Sequence, residues 1–225
     1  MTTCRDGAGS DEPVETLRRG QPAGLQDDSR LRSVFLQWRL IAGLPVVAGV
    51  DPAAAKAVVQ GIVDRLLQVR NGLDPLILLE RDAALLQRST AVAVLTVVFA
   101  RCAGWPTHLL PELGVAGLLH DLGSVLDQDD PGQAAFRWLL DRGEDDLWLR
   151  SALVARHVGT RATAAESGPP GQLAVIGLVR LAAATGRAGA DGEARERSWR
   201  DCVAAGGVAA ELLDAARWAL APRHS

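Results

Sequence analysis

The sequence predicts an all-α protein, and two observations support that prediction. Apolar residues recur at spacings of three and four along most of the chain, which is typical of helices with one buried face. Few stretches alternate between apolar and polar residues with the period of two that marks a half-buried strand. Hydrophobic residues make up 48% of the 225-residue chain, which is enough for a sizeable core. We therefore expect a bundle of helices.

The first part of the chain is predicted to be a tail followed by a helical extension. Residues 1–28 are rich in glycine, proline and charged residues and lack apolar periodicity, as disordered segments do. Within residues 29–72, Asp28 or Ser29 suits the N-cap of the first helix. The second begins at Asp51-Pro52, with aspartate as the cap and proline in the first helical position, and ends at Asn71-Gly72.

Residues 73–222 are predicted to form the main domain. Its helix boundaries follow glycine, proline and capping aspartate residues, such as Asp130 before Pro131. The stretch 83–103 is apolar nearly all round, which predicts a helix buried on most faces, although its valines also suit a strand. The predicted helices cover residues 74–79, 83–103, 109–126, 131–140, 145–158, 173–184, 195–205 and 208–220, and residues 167–171 and 186–194 are predicted connections.

Composition argues against several classes of partner. The net charge is −3, so no overall positive field attracts nucleic acid. No uninterrupted apolar run approaches the roughly 20 residues of a membrane helix, and the N-terminal residues show no signal-peptide pattern. The cysteines Cys4, Cys102 and Cys202 form no CxxC pair and are interpreted as reduced thiols. We expect a cytoplasmic protein that binds neither nucleic acid nor membrane.

The segment Leu118–Gly123 carries the clearest chemical signal, because His120 and Asp121 stand side by side at the end of an apolar helical run. An imidazole and a carboxylate so placed can bind one divalent metal ion from a single turn of backbone. The alternative is a structural role, in which the histidine hydrogen-bonds a neighbouring carboxylate and holds the end of the helix.

Further segments accompany this motif in a fixed order. They are Glu80-Arg81-Asp82 with Arg88-Ser89, Ala103-Gly104-Trp105-Pro106, Asp130-Pro131, Arg156-His157 and Ser167-Gly168-Pro169-Pro170. Together with Leu-Leu-His-Asp-Leu-Gly, they make the chain from about Ile62 to Leu220 resemble the HD-GYP domain, a branch of the HD phosphohydrolase superfamily. The resemblance implies an HD-domain helical bundle that hydrolyses the bacterial messenger cyclic di-GMP with iron or manganese ions held by histidine and aspartate ligands.

Carried over residue by residue, the resemblance implies that His120 and Asp121 are retained metal ligands. His157 could be a third ligand, although a histidine near a helix C-terminus is also favoured by the helix dipole. Asp130 could be a fourth, although it equally suits a helix N-cap. Ser124 stands where the resemblance implies a lysine.

Three of the implied ligand positions are arginines: Arg88, Arg156 and Arg180. Guanidinium is permanently cationic and has no lone pair for a metal. We therefore expect no bound cofactor; if a metal binds, it would be iron, manganese or zinc. The three arginines could instead line the old pocket as an anion site, or each could point to solvent or pair with an acid.

The expected function follows from this loss of ligands. We expect a degenerate HD-GYP-like domain without catalytic residues or cyclic di-GMP phosphodiesterase activity. It would act in bacterial signalling by binding a partner protein, a cyclic dinucleotide or another nucleotide, and it could form a homodimer. The alternative is an active metal-dependent phosphohydrolase with a reduced site of His120, Asp121 and His157. Trp138 and Trp148 are expected to be partly exposed, as suits a partner surface.

Overall fold

The computed structural model describes residues 50–143, 145–158, 170–205 and 208–221, with only the backbone of residues 170–173. These residues form α-helices and two short 3₁₀ helices, with no strand in any of the four ranges, which confirms the all-α prediction. The α-helices are α1 (Pro52–Leu67), α2 (Asp74–Leu79), α3 (Ala83–Cys102), α4 (Leu110–Leu118), α5 (Pro131–Leu140), α6 (Asp146–Val158), α7 (Pro170–Ala188), α8 (Gly192–Ala204) and α9 (Ala210–Ala219), and the 3₁₀ helices are Thr107–Leu109 and Leu122–Val125.

Some predictions concern segments outside the described residues. They are the tail at 1–28, the helix expected after Asp28, and the part of the 167–171 loop that precedes Pro170. The described chain enters α1 through the predicted cap: the Asp51 carboxylate accepts the backbone N–H of Ala54 at 3.0 Å.

Helix α3 lies at the centre of the fold. It packs against α4, α7 and α9, and also contacts α1 and α2. This explains its all-round apolar sequence, because both sides of the helix are buried. Among the described helices, α3 alone is long and apolar enough to cross a membrane by those two criteria, and 72% of the qualifying stretch is buried inside the bundle.

The core consists of two apolar clusters that α3 and α4 share. One cluster also includes side chains of α1, α2, α5 and α6. The other includes side chains of α7, α8 and α9. Glycines in α4 allow the close approach of these central helices: a Cβ added at Gly117 would lie 2.7 Å from Thr96 Oγ1 and 3.1 Å from Ala93 Cα.

Helix α1 belongs to this packed body although the sequence places it in an extension. Its buried residues, Val59 and Leu66 among them, are part of the first cluster. Arg65 of α1 also binds Glu112 of α4, with 3.2 Å between Nη2 and Oε1, and Arg150 of α6 donates a hydrogen bond to the other oxygen of Glu112. The predicted boundary at residue 72 therefore does not coincide with a break in the packing.

The helix predicted over 109–126 is interrupted. Helix α4 ends at Leu118, so His120 and Asp121 lie in a turn before the second 3₁₀ helix. After the turn, the backbone at Gly123 approaches that of Pro131 so closely that an added Cβ would lie 1.8 Å from its carbonyl oxygen. Trp138 is half-buried as expected, but Trp148 is only 1% exposed, because it packs into the first cluster.

Candidate functional site

The turn after α4 holds His120 in one orientation. His120 is 8% exposed, and its Nδ1 lies 2.8 Å from the carbonyl oxygen of Gly117. Since a carbonyl oxygen can only accept a hydrogen bond, Nδ1 carries the proton that it donates. In the neutral ring, Nε2 therefore keeps its lone pair and is the nitrogen available to a ligand.

The surroundings of His120 favour that neutral ring. Burial lowers the pKa of His120 below its ordinary value of 6.5, and the positive charges of Arg187 and Arg88 lower the pKa further. The carboxylate of Asp121 and the hydrogen bond to Gly117 act in the opposite direction but do not outweigh burial. His120 is thus uncharged at neutral pH.

Asp121 completes the pair at the end of α4. Its carboxylate is half-buried and accepts a hydrogen bond from the hydroxyl group of Ser124 in the following 3₁₀ helix. Where the resemblance implies a lysine, this chain therefore provides a neutral donor that orients the aspartate without adding a charge.

A cavity of about 370 Å³ opens beside this pair, between α3 and α7. Its lining combines the pair with polar and charged side chains and with small apolar groups. The lining residues are Gln87, Arg88, Ala91 and Val92 of α3, His120 and Asp121 of the turn, and Ala183, Gly186 and Arg187 of α7. The cavity therefore contains a buried neutral imidazole, one carboxylate and two guanidinium groups.

Of the three arginines named from the sequence, Arg88 lines this cavity. The guanidinium of Arg156 lies over the ring of Phe136, 5.1 Å from its centroid. Arg180 donates a hydrogen bond from Nη2 to the carbonyl oxygen of His157 at 2.8 Å, and burial lowers its pKa. This hydrogen bond provides a donor for one of the carbonyl groups that have no partner within the helix at the end of α6.

Arg187 is the charged cavity residue that the sequence reasoning missed. The sequence predicts a connection over residues 186–194, but α7 continues to Ala188. Arg187 follows Arg180 by seven positions, which places the two on about the same face of a continuous helix. The seven-residue spacing from Arg180 was the feature of the sequence that could have identified Arg187.

The remaining candidate ligands lie outside the cavity lining. Asp130 is exposed, and its carboxylate accepts the backbone N–H of Gln133 at 3.0 Å as the N-cap of α5. His157 is half-buried in the last turn of α6. Within the ranges that the structure describes, no three His, Cys, Asp or Glu side chains are grouped so that they could hold a metal ion. The donors placed by the structure therefore do not fit the multi-metal centre that the resemblance implies.

A second cavity, of about 430 Å³, lies on another side of the bundle. Its lining is mostly apolar, with Asp146 and Arg150 as the charged members. The guanidinium of Arg150 is also bound to Glu112.

Comparisons of the chain with protein-family models, with curated proteins and with solved structures find no match. The likeness to HD-GYP domains therefore rests on the motifs quoted above.

Proposed function

We propose that this chain is a degenerate HD-GYP-like domain that acts in bacterial signalling by binding a partner protein or a nucleotide without cleaving it. One observation carries the proposal: Arg88 lines the same cavity as His120 and Asp121, at a position where the resemblance implies a metal-binding histidine. A guanidinium group there removes an electron-pair donor and adds a positive charge.

The electrostatics of the cavity support binding over metal catalysis. Two unit charges about 4 Å apart repel by roughly 4 kcal/mol at an effective dielectric constant near 20. Arg88 and Arg187 both line the cavity, so a divalent cation next to His120 would have two positive charges nearby. A two-metal hydrolysis site needs the opposite environment, because it collects anionic ligands around its ions.

A turnover assay tests this proposal. The full chain is incubated with cyclic di-GMP and either Mn²⁺ or Fe²⁺, and the linear and mononucleotide products are separated by chromatography. We expect no hydrolysis above the rate without protein. Hydrolysis that disappears in a His120→Ala variant would contradict the proposal.

The alternative function is a metal-dependent phosphohydrolase with a reduced site of His120, Asp121 and His157. One observation favours it: the Nδ1–Gly117 hydrogen bond leaves Nε2 of a neutral His120 with a lone pair beside a carboxylate. Elemental analysis of protein purified without chelator distinguishes the two functions. The enzyme would retain iron, manganese or zinc and lose it in both His120→Ala and His157→Ala, whereas the binding domain would retain none.

A further inference from the structure

The charged side chains that line the cavity beside His120 do not neutralise one another. Arg88 of α3 and Arg187 of α7 are exposed residues that both line it, and in the part of the chain that the structure describes neither forms an ion pair. Asp121 is the one carboxylate of the lining. The cavity therefore has an excess of positive charge, which favours an anionic ligand.

The wall between the two arginines is small and apolar. It is formed by Ala91 and Val92 of α3 and by Ala183 and Gly186 of α7. The volume of about 370 Å³ lies at the small end of the range of about 300–1,000 Å³ found for small-molecule sites. Such a space suits a compact ligand with one charged end and one apolar or planar part.

We propose that this cavity binds a small phosphate monoester, with the phosphate between Arg88 and Arg187 and the organic part against the apolar wall. This inference rests on the proposed function, since it names the ligand class of the same site. The geometry of the guanidinium N–H donors favours a monoester over a diester. Each guanidinium presents a fork of parallel N–H groups that pairs with two oxygens. A monoester offers three terminal oxygens to two forks, whereas a diester offers only two.

Calorimetry of the full chain tests the ligand class with three probes: GMP as the monoester, inorganic phosphate, and cyclic di-GMP as the diester. We expect GMP to bind most tightly, inorganic phosphate to compete with it, and cyclic di-GMP to bind more weakly than GMP. Because the contacts are ionic, the affinity for GMP is expected to fall as salt is added.

Substitutions of lining residues test whether GMP binds in this cavity. Arg187→Gln and Arg88→Gln are each expected to weaken GMP binding about tenfold or more, since each removes charge-assisted hydrogen bonds. Gly186→Leu is expected to block binding without changing the charge. Its Cβ would meet Val92 Cγ2 at an ordinary 3.5 Å, so the helix tolerates it while the rest of the side chain fills the cavity. Arg101→Gln is the matched control, because Arg101 is an exposed arginine of α3 outside the cavity lining.

The outcomes separate this inference from the proposed function. GMP binding that Arg187→Gln and Gly186→Leu weaken and Arg101→Gln leaves intact would support the phosphate site. If GMP does not bind, or if Arg101→Gln weakens it as much as Arg187→Gln, the inference is overturned. If cyclic di-GMP binds intact while GMP and phosphate do not, the inference fails but the proposed function stands. Hydrolysis of cyclic di-GMP overturns the proposed function itself.

Discussion

At His120, one hydrogen bond decides which nitrogen faces a ligand. The Gly117 carbonyl accepts from Nδ1, and burial with two nearby arginines lowers the pKa of the ring. An aspartate follows directly, yet two arginines line the same cavity. The local chemistry of the pair is suited to a metal, but the residues facing it are suited to an anion.

The protonation state of His120 is open to measurement. Because its pKa in the folded chain is lowered from 6.5, we expect the neutral Nδ1–H tautomer to predominate at pH 6.5 and protonation to occur only at lower pH. Nitrogen-detected NMR of the imidazole reports both the tautomer and the titration. A ring that is mostly imidazolium at pH 6.5 would contradict the account of the site.

The same lowered pKa has a consequence for stability. The unfolded chain takes up a proton on His120 at a higher pH than the folded chain, so His120 contributes stability that is lost as the pH falls below 6.5. His120→Gln is therefore expected to reduce the difference in urea midpoint between pH 7 and pH 5.5. If that difference is unchanged, His120 titrates alike in both states.

At the scale of elements, local signals in the sequence predicted where most helices begin. Asp51 and Asp130 cap α1 and α5 as expected, since an aspartate before proline provides both the acceptor and the fixed backbone angle. The interruption after Leu118 was not predicted, because the apolar periodicity continues through it; the close approach of Gly123 to Pro131 that follows the turn is a contact between separate segments.

In the site too, residues in local motifs could be predicted from the sequence, whereas residues placed by helix packing could not. The His120-Asp121 pair was visible as a motif, and Arg88 was named from the resemblance and does line the cavity. Arg187 was missed because glycine and alanine around it favour a connection, whereas packing of α7 against α3 keeps it helical. The neighbours of Arg156 and Arg180 depend on how α6 meets α5 and α7, which no local pattern encodes.

Two glycines test the packing of the helices. Gly117→Ala forces a Cβ to within 2.7 Å of Thr96 Oγ1, so we expect a loss of about 1–3 kcal/mol in the free energy of unfolding. Gly61→Ala in α1 is the control, because its nearest neighbour would be Pro111 Cγ at 4.0 Å. There we expect a gain of about 0.5–1 kcal/mol from helix propensity. Urea unfolding measures both, and equal effects would refute the close α3–α4 contact.

At the scale of the whole molecule, half-buried ion pairs join helices that are distant in sequence. Glu112 of α4 binds Arg65 of α1 and Arg150 of α6, and Arg65 also reaches Asp145 at 3.3 Å. The side chains of Glu112 and Arg65 are 19% and 20% exposed, so water screens their interaction only in part. We expect these ion pairs to stabilise the packing of α1 against the rest of the bundle.

Replacing Glu112 tests that role. Glu112→Gln removes the charge that two arginines share, so we expect a loss of about 1–2 kcal/mol in the free energy of unfolding. Glu196→Gln is the matched control, because its pair with Arg217 is more exposed, at 43% and 46%, and we expect a smaller loss. Chemical denaturation with one cooperative transition is expected for both variants. A separate early transition of α1 would show that it is not part of the same folding unit.

Calorimetric titration with Mn²⁺ tests most directly whether arginine has replaced metal ligands. The full chain is compared with an Arg88→His variant and with Arg101→His, which is the control on the same helix. We predict no stoichiometric uptake by the unaltered chain or by Arg101→His, and a gain of Mn²⁺ affinity in Arg88→His, where a lone pair replaces a positive charge beside His120 and Asp121. Stoichiometric micromolar uptake by the unaltered chain, abolished in His120→Ala, would contradict the account.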